Sequence, residues 1–321
     1  MIRPYDERTL GEAIDALRRG ELVAFPTETV YGLGARADDA RAVAHIYAAK
    51  GRPPENPSIV HAADAELAFA LALGVPDSAR ALAAHFWPGP LTLVVRARRG
   101  AVSSLALAGG ETIALRVPSH PVALAILRGC GLPIAAPSAN RSTGISPTTA
   151  AHVESSLGSE VFVVDGGETG FGIESTIVDL TVSPTVLLRR GSISLAALSE
   201  VAATVDLGGR VEPLGRSLRA PGSTARHYAP RTPTSLRTRD GLFAEIDLES
   251  AGFLLLASTE APPSVRTVEK LPIEPVGYAH GLYAALHRLD AASLARIVVE
   301  EVPDTPAWAA VRDRLVRASS T

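Results

Sequence analysis

Lys50-Gly51-Arg52 sets two cations two residues apart, ahead of the proline-stiffened run Pro53-Pro54-Glu55-Asn56-Pro57-Ser58-Ile59-Val60-His61. A compact ammonium beside a planar guanidinium can neutralise phosphate oxygens, one as a point charge and the other as a fork. The same pair at a helix C-terminus would also complement the helix dipole, so the spacing supports both uses. The rarity of lysine favours the first: of 31 basic residues, all but Lys50 and Lys270 are arginine.

Other polar residues interrupt apolar strands or follow them directly, where α/β sheets bind ligands. Arg116 lies inside Thr112-Ile113-Ala114-Leu115-Arg116-Val117-Pro118. A buried guanidinium needs a carboxylate, and the sequence leaves open whether that is an Asp or Glu of the chain or a substrate's. Arg189 ends the apolar run Thr185–Leu188, and Pro26-Thr27-Glu28-Thr29 follows a buried strand. The run Ala135–Thr148 holds Ser138 and Asn140 and predicts a helix with Ser146 as N-cap and Pro147 at its first position. Such a hydroxyl-lined N-terminus suits an anion. Glycines around Phe171 allow close backbone approach ahead of Ser175.

Several chemistries are excluded. Gly32-Leu33-Gly34 lies too far past its strand for a dinucleotide fingerprint, and the acidic partner about 20 residues on would be Glu55, in a proline-rich loop. Neither lysine has Walker A neighbours, the eight histidines lack metal-ligand spacing, and there is no Gly-x-Ser-x-Gly elbow. An anion pocket of cations, hydroxyls and amides is left, working by positioning and charge neutralisation.

The elements that must position these groups follow from periodicity. Thr9 and Glu12 have capping-box spacing, and Leu10, Ala13, Ile14 and Leu17 define a helical face that Gly20 ends. Strands are predicted at 22–26, 92–96, 112–117, 133–136, 161–165, 176–180 and 185–189, and helices at 39–50, 79–86, 121–127 and 147–157. Alternation of this kind predicts an α/β domain on a twisted sheet over 1–205. Residues 206–233 lose apolar periodicity and are rich in Gly, Pro and Arg, as a linker would be. Strands at 252–257 and 296–300 with helices at 278–289 and 307–316 predict a smaller α/β domain over 234–321.

A length of 321 residues agrees with two domains. A net charge of −3 gives no overall field for nucleic acid or anionic membrane. Cys130 is the single cysteine, which excludes an internal disulfide and fits a reducing compartment. The N-terminus lacks a signal peptide's apolar run, and no stretch approaches the ~18 apolar residues of a membrane span. The expectation is a soluble, cytoplasmic protein.

In order along the chain, PTETVYGLG (26–34), KGRPPENPSIVH (50–61), FWPGPLT (86–92), TIALRVP (112–118), AAPSAN (135–140), SPT (146–148) and GIESTIVD (172–179) resemble the threonylcarbamoyl-AMP synthase family. PG…RHYAP (221–230) resembles the linker of its two-domain members. The resemblance implies a YrdC-like twisted mixed sheet with helices, followed by a smaller Rossmann-like domain. It implies synthesis of threonylcarbamoyl-AMP from L-threonine, bicarbonate or CO2 and ATP, with release of pyrophosphate. Magnesium would be held mainly by the ATP phosphates. A separate tRNA threonylcarbamoyl-transferase complex would take the product, with direct tRNA binding weak or absent. By position in the motifs, Thr27, His61, Arg116 and Ser175 fall where the family holds threonine. Lys50, Arg52, Asn56, Ser58, Thr112, Ser138, Asn140, Ser146 and Arg189 fall where it holds ATP, with Lys50 and Arg52 the catalytic cations. Tyr228 falls in the linker, as a residue that folds over the nucleotide. Arg190 stands where many members carry proline and competes with Arg189 for its role. An RNA-binding module using the basic linker residues Arg210, Arg216, Arg219, Arg226 and Arg231 is the alternative from another class. A carbamoyl-transfer maturation enzyme is a further one.

Overall fold

The computed structural model describes residues 1–207 and 226–320. Contacts divide them into two units. One holds Met1–Arg141, Pro147–Gly170 and residues 174–207; the other holds Ser142–Ser146, Phe171–Ile173 and residues 226–320. Most of the expected linker, including Arg210, Arg216, Arg219 and Ser223-Thr224-Ala225, lies outside the described residues.

The first unit begins with β1 (Ile2–Pro4) and α1 (Glu7–Arg18). Asp6, not Thr9, caps α1: its carboxylate accepts from Thr9 N at 2.7 Å. An acidic cap one turn earlier takes Thr9 into the helix, where it is buried. β2 (Val23–Pro26) and β3 (Tyr31–Arg36) then form an antiparallel pair around Thr27–Val30. α2 (Ala40–Lys50) is capped by Asp39 and ended by Gly51 at φ 59°. There follow β4 (Ile59–His61), α3 (Ala65–Phe69), α4 (Asp77–Phe86), β5 (Leu91–Arg96), β6 (Thr112–Arg116), α5 (Pro121–Cys130) and β7 (Ile134–Ala135). α6 (Ala150–Leu157), β8 (Phe162–Asp165), β9 (Thr176–Asp179), β10 (Thr185–Arg189), α7 (Leu195–Val201) and β11 (Thr204–Asp206) complete the unit.

Its strands make one mixed sheet in the order β1-β8-β2-β3-β7-β4-β6-β5-β9-β10-β11. Every residue of β2 is buried because the sheet carries a core on each face. Val23 and Phe25 pack with Leu17, Ile126 and Leu127. Ala24 belongs to the opposite cluster, with Leu33, Ile46, Leu82 and Leu93. Burial on both faces explains why the strand reads as an unbroken apolar run.

One strand is added and one expectation needs correction. Gly32 and Gly34 lie inside β3, a strand absent from the periodicity, where Gly32 pairs with Phe25 and Gly34 with Val23. A Cβ on Gly34 would lie 2.6 Å from the Phe25 ring, so this glycine makes room for packing rather than for phosphate. The helix after β7 starts at Ala150 with Thr149 as its cap, not at Pro147 with Ser146. The Pro147 carbonyl accepts from Tyr31 N at 2.9 Å, which holds this segment against β3 instead of in a helix.

The second unit contains β12 (Thr234–Arg237), β13 (Ala251–Leu256), β14 (Thr267–Leu271), α8 (Pro275–Ala291), β15 (Arg296–Glu300) and α9 (Ala309–Ala318). Its sheet, β12-β15-β13-β14, is parallel throughout, as expected of a small Rossmann-like domain. Phe253, Leu255 and Val298 fill part of its core.

Gly34→Ala is expected to destabilise the first unit by about 1–3 kcal/mol, the usual range for overpacking. Urea unfolding measures this, and an unchanged midpoint would show that Phe25 can move aside.

Candidate functional site

The turn at Gly51 lets Arg52 N bond back to the Tyr47 carbonyl at 3.0 Å, so the chain leaves α2 with both cations directed inward. Lys50 is only 2% exposed. Its Nζ donates to the carbonyls of Ser138, at 2.5 Å, and Asn140. Burial, and then the charge of Arg52, holds the Lys50 amine well below the usual lysine range. Both of its partners are neutral dipoles, so an anion arriving here adds the attraction of a full opposite charge in a low dielectric.

Arg52 organises the loop that follows it. Its Nε donates to Asn56 O at 3.2 Å and its guanidinium to Pro57 O at 2.8 Å. The Tyr47 hydroxyl donates to Asn56 O and Leu105 O. Asn56 and Ser58 are buried in this wrap, and the Asn56 side-chain oxygen has no hydrogen-bond partner. Asn140 donates to Arg141 O at 2.9 Å.

A second group forms a row across the sheet. His61 of β4 is in register with Arg116 of β6. One step beyond the Leu93↔Leu115 pair, Thr92 faces Arg116 from β5. Arg116 is buried, and its guanidinium meets Glu28 Oε1 at 2.7 Å and Thr29 Oγ1 at 3.0 Å. The other Glu28 oxygen accepts from Ser119 N at 3.0 Å. Thr27 Oγ1 lies 2.8 Å from Thr29 Oγ1 and donates to Val30 O. Arg116 Nε is buried and has no hydrogen-bond partner among the described residues. Burial, and then the Arg116 charge, pushes the His61 imidazole down to about 3, which keeps it neutral.

The row continues through Ser175, whose Oγ is 2.8 Å from Thr92 Oγ1. Arg189 donates to Ser175 Oγ and to Ser175 O, both at 3.0 Å. Gly191 permits this approach, since a Cβ there would meet Thr176 N at 2.4 Å. Arg190 pairs instead with Asp206 of β11 at 2.8 Å. Arg189 is therefore the arginine joined to this row.

Thr112, Ser146 and Tyr228 complete the sequence-derived set. Thr112 begins β6, four residues from Arg116, or roughly 13 Å at strand rise. Ser146 belongs to the second unit, where its carbonyl is 3.2 Å from His287 Nε2. Tyr228 also belongs there. It is buried at φ 60°, with its ring stacked 5.9 Å from that of Tyr283 and the Arg314 guanidinium 5.1 Å from its centre. Sequence reasoning passed over Glu28 as a functional residue. The signal was present: Arg116 required a carboxylate, and Glu28 directly follows a buried strand.

His61 should stay neutral from pH 5 to 8, and NMR of its ring should show no titration near 6.5. The sign for stability follows: the unfolded histidine binds a proton that the folded one refuses between about 3 and 6.5. This site therefore adds stability as pH rises through that window and removes it as pH falls.

A buried lysine held by carbonyls and a row of hydroxyls around a buried arginine, on a two-faced mixed sheet, give an α/β protein whose polar groups gather at strand ends and the loops beyond them. Comparison with known proteins carries this further. A family model described as "Telomere recombination" (Sua5/YciO/YrdC) matches residues 15–191. A second, "Threonylcarbamoyl-AMP synthase, C-terminal domain", matches residues 193–320. The threonylcarbamoyl-AMP synthase of Bacillus subtilis is 39% identical, over 97% of this chain and 92% of its own. The structure of P. abyssi Sua5 complexed with L-threonine superposes with a TM-score of 0.90 at 37% identity, covering 99% of this chain and 97% of that one. A P. abyssi Sua5 variant with a histidine and a tyrosine changed to alanine gives 0.91 at 36% identity, covering 99% and 96%. The chain belongs to the threonylcarbamoyl-AMP synthase family.

Proposed function

We propose that this chain makes threonylcarbamoyl-AMP from L-threonine, bicarbonate or CO2 and Mg·ATP, releasing pyrophosphate, as the first step of tRNA threonylcarbamoyladenosine modification. The single observation that carries the residue assignment is the pairing of two kinds of buried cation. Among the described residues Lys50 is answered by two carbonyls, and Arg116 has a carboxylate on one nitrogen and no partner on Nε.

In this reading Arg116 takes the threonine carboxylate, with Thr27, His61 and Ser175 around the rest of the amino acid. The unprotonated amine attacks CO2, forming an N–C bond and losing a proton. A carbamate oxygen then attacks the α-phosphorus, and the bond to the β-phosphate oxygen breaks to release pyrophosphate. Lys50 and Arg52 offset charge on the phosphates, with Asn56, Ser58, Ser138, Asn140 and Arg189 around the nucleotide and Thr112 and Ser146 as outer contacts. Carbamates hydrolyse readily, and the burial of these residues favours a dry site. Tyr228 is the linker residue assigned to cover the nucleotide.

Among the described residues no group of three or more His, Cys, Asp and Glu side chains could hold a metal ion. The proposal takes magnesium as part of the Mg·ATP substrate, held mainly by the phosphates. No described helix is long and apolar enough to cross a membrane. The proposal includes a cytoplasmic location and a downstream tRNA threonylcarbamoyl-transferase complex as recipient.

Pyrophosphate release from ATP should require threonine and bicarbonate together. Release with threonine alone in CO2-free solution would indicate ordinary aminoacyl adenylation instead. Arg116→Ala should raise the threonine KM by roughly 30-fold or more, the cost of breaking a buried charge pair, and change the ATP KM far less. Equal effects on both substrates would remove Arg116 from the threonine site.

A further inference from the structure

We infer that Glu28 is a positioning residue for the amino-acid carboxylate, fixing the Arg116 guanidinium so that its unused side faces the substrate. The inference rests on the assignment of Arg116 to threonine.

The geometry is asymmetric. One terminal nitrogen of Arg116 receives both Glu28 Oε1, at 2.7 Å, and Thr29 Oγ1, at 3.0 Å. Arg116 Nε, equally enclosed by protein, donates to no partner among the described residues. A pair present only to neutralise a buried charge would gain most by a bidentate fork, with two parallel N–H···O bonds. Glu28 does not make one. Its second oxygen turns to Ser119 N at 3.0 Å, three residues beyond Arg116 in the chain. Glu28 is thus tied at once to the guanidinium and to the backbone leaving β6, which fixes the arginine against its own strand. Thr29 is held in turn by Thr27 at 2.8 Å. The hairpin between β2 and β3 therefore acts as a clamp on one nitrogen, and Nε–H is left for a second carboxylate.

The charges agree with this arrangement. Arg116 and Glu28 together are neutral, and so is the amino acid as a zwitterion, so its entry adds no net charge to a low-dielectric site. Without Glu28 the guanidinium would carry an unbalanced buried charge and could turn toward other oxygens. Binding of the carboxylate would then have to supply the ordering that the clamp now provides in advance.

The test compares Glu28→Gln, Arg116→Ala and the double variant in steady-state pyrophosphate release. Binding of L-threonine and of L-threoninol, which lacks the carboxylate, is measured alongside by calorimetry. Glu28→Gln keeps the shape of the side chain while removing its charge. The expected result is a threonine KM raised about 10- to 50-fold, with kcat and the ATP KM within about twofold. Preference for threonine over threoninol should shrink by a similar factor. Because Glu28 acts through Arg116, the double variant should bind threonine no worse than Arg116→Ala alone. Thr29→Val, which removes the second acceptor on the same nitrogen, should move the threonine KM in the same direction by less, and it serves should Glu28→Gln fail to fold. The inference is overturned if Arg116→Ala raises the threonine KM while Glu28→Gln and Thr29→Val leave it unchanged. It is also overturned if the two losses add in the double variant, or if kcat and both KM values deteriorate together as they would for a merely structural role. Should Arg116→Ala itself leave the threonine KM unchanged, the assignment of Arg116 falls and the inference falls with it.

Discussion

A cation taken out of water must be met by oxygen, and this requirement organises the first unit around Lys50, Arg116 and Arg189. Each is answered in a different way. Lys50 meets two backbone carbonyls of the loop after β7, Arg116 meets the carboxylate of Glu28, and Arg189 meets the hydroxyl and carbonyl of Ser175. Carbonyls satisfy the geometry of the Lys50 ammonium without cancelling its charge. The Arg116–Glu28 contact, by contrast, is a buried ion pair.

The rest of the fold makes those meetings possible. Glycine at 34 lets the Phe25 ring close the core behind the Thr27–Val30 turn, which carries Glu28 and Thr29. Glycine at 191 lets the backbone after β10 approach Thr176, which keeps Arg189 within reach of Ser175. Gly51 ends α2 between two cations with different partners, Lys50 reaching the loop after β7 and Arg52 the loop at Asn56–Pro57. Each removes a side chain where two pieces of protein must come close or turn sharply.

The linear pattern made much of this visible. Lys50 stands out in a chain that otherwise writes arginine, and Arg116 interrupts an apolar strand, so both announce themselves as buried charges needing partners. The strand carrying Arg116 and its neighbour β5 were equally legible, because a strand buried on both faces leaves an unbroken run of apolar residues. β3 was not, since its glycines imitate a loop and only its partners β2 and β7 make it a strand. The start of α6 was misplaced for a similar reason. Ser146-Pro147 carries the local signals of a helix start, but the ladder bond from Tyr31 to the Pro147 carbonyl outweighs them.

By itself the sequence determined the kinds of group available: a lysine and several arginines, hydroxyls in place of a covalent nucleophile, and alternating elements enough for two α/β domains. Those properties depend on composition and local periodicity, which the linear order carries directly. Only the tertiary structure decided which oxygen each cation meets. It chose Glu28 over a bound carboxylate as the standing partner of Arg116, and it joined Arg189 to Ser175 while sending Arg190 to Asp206. Those choices span many residues along the chain, and they are fixed by strand register and side-chain packing, which no local pattern encodes.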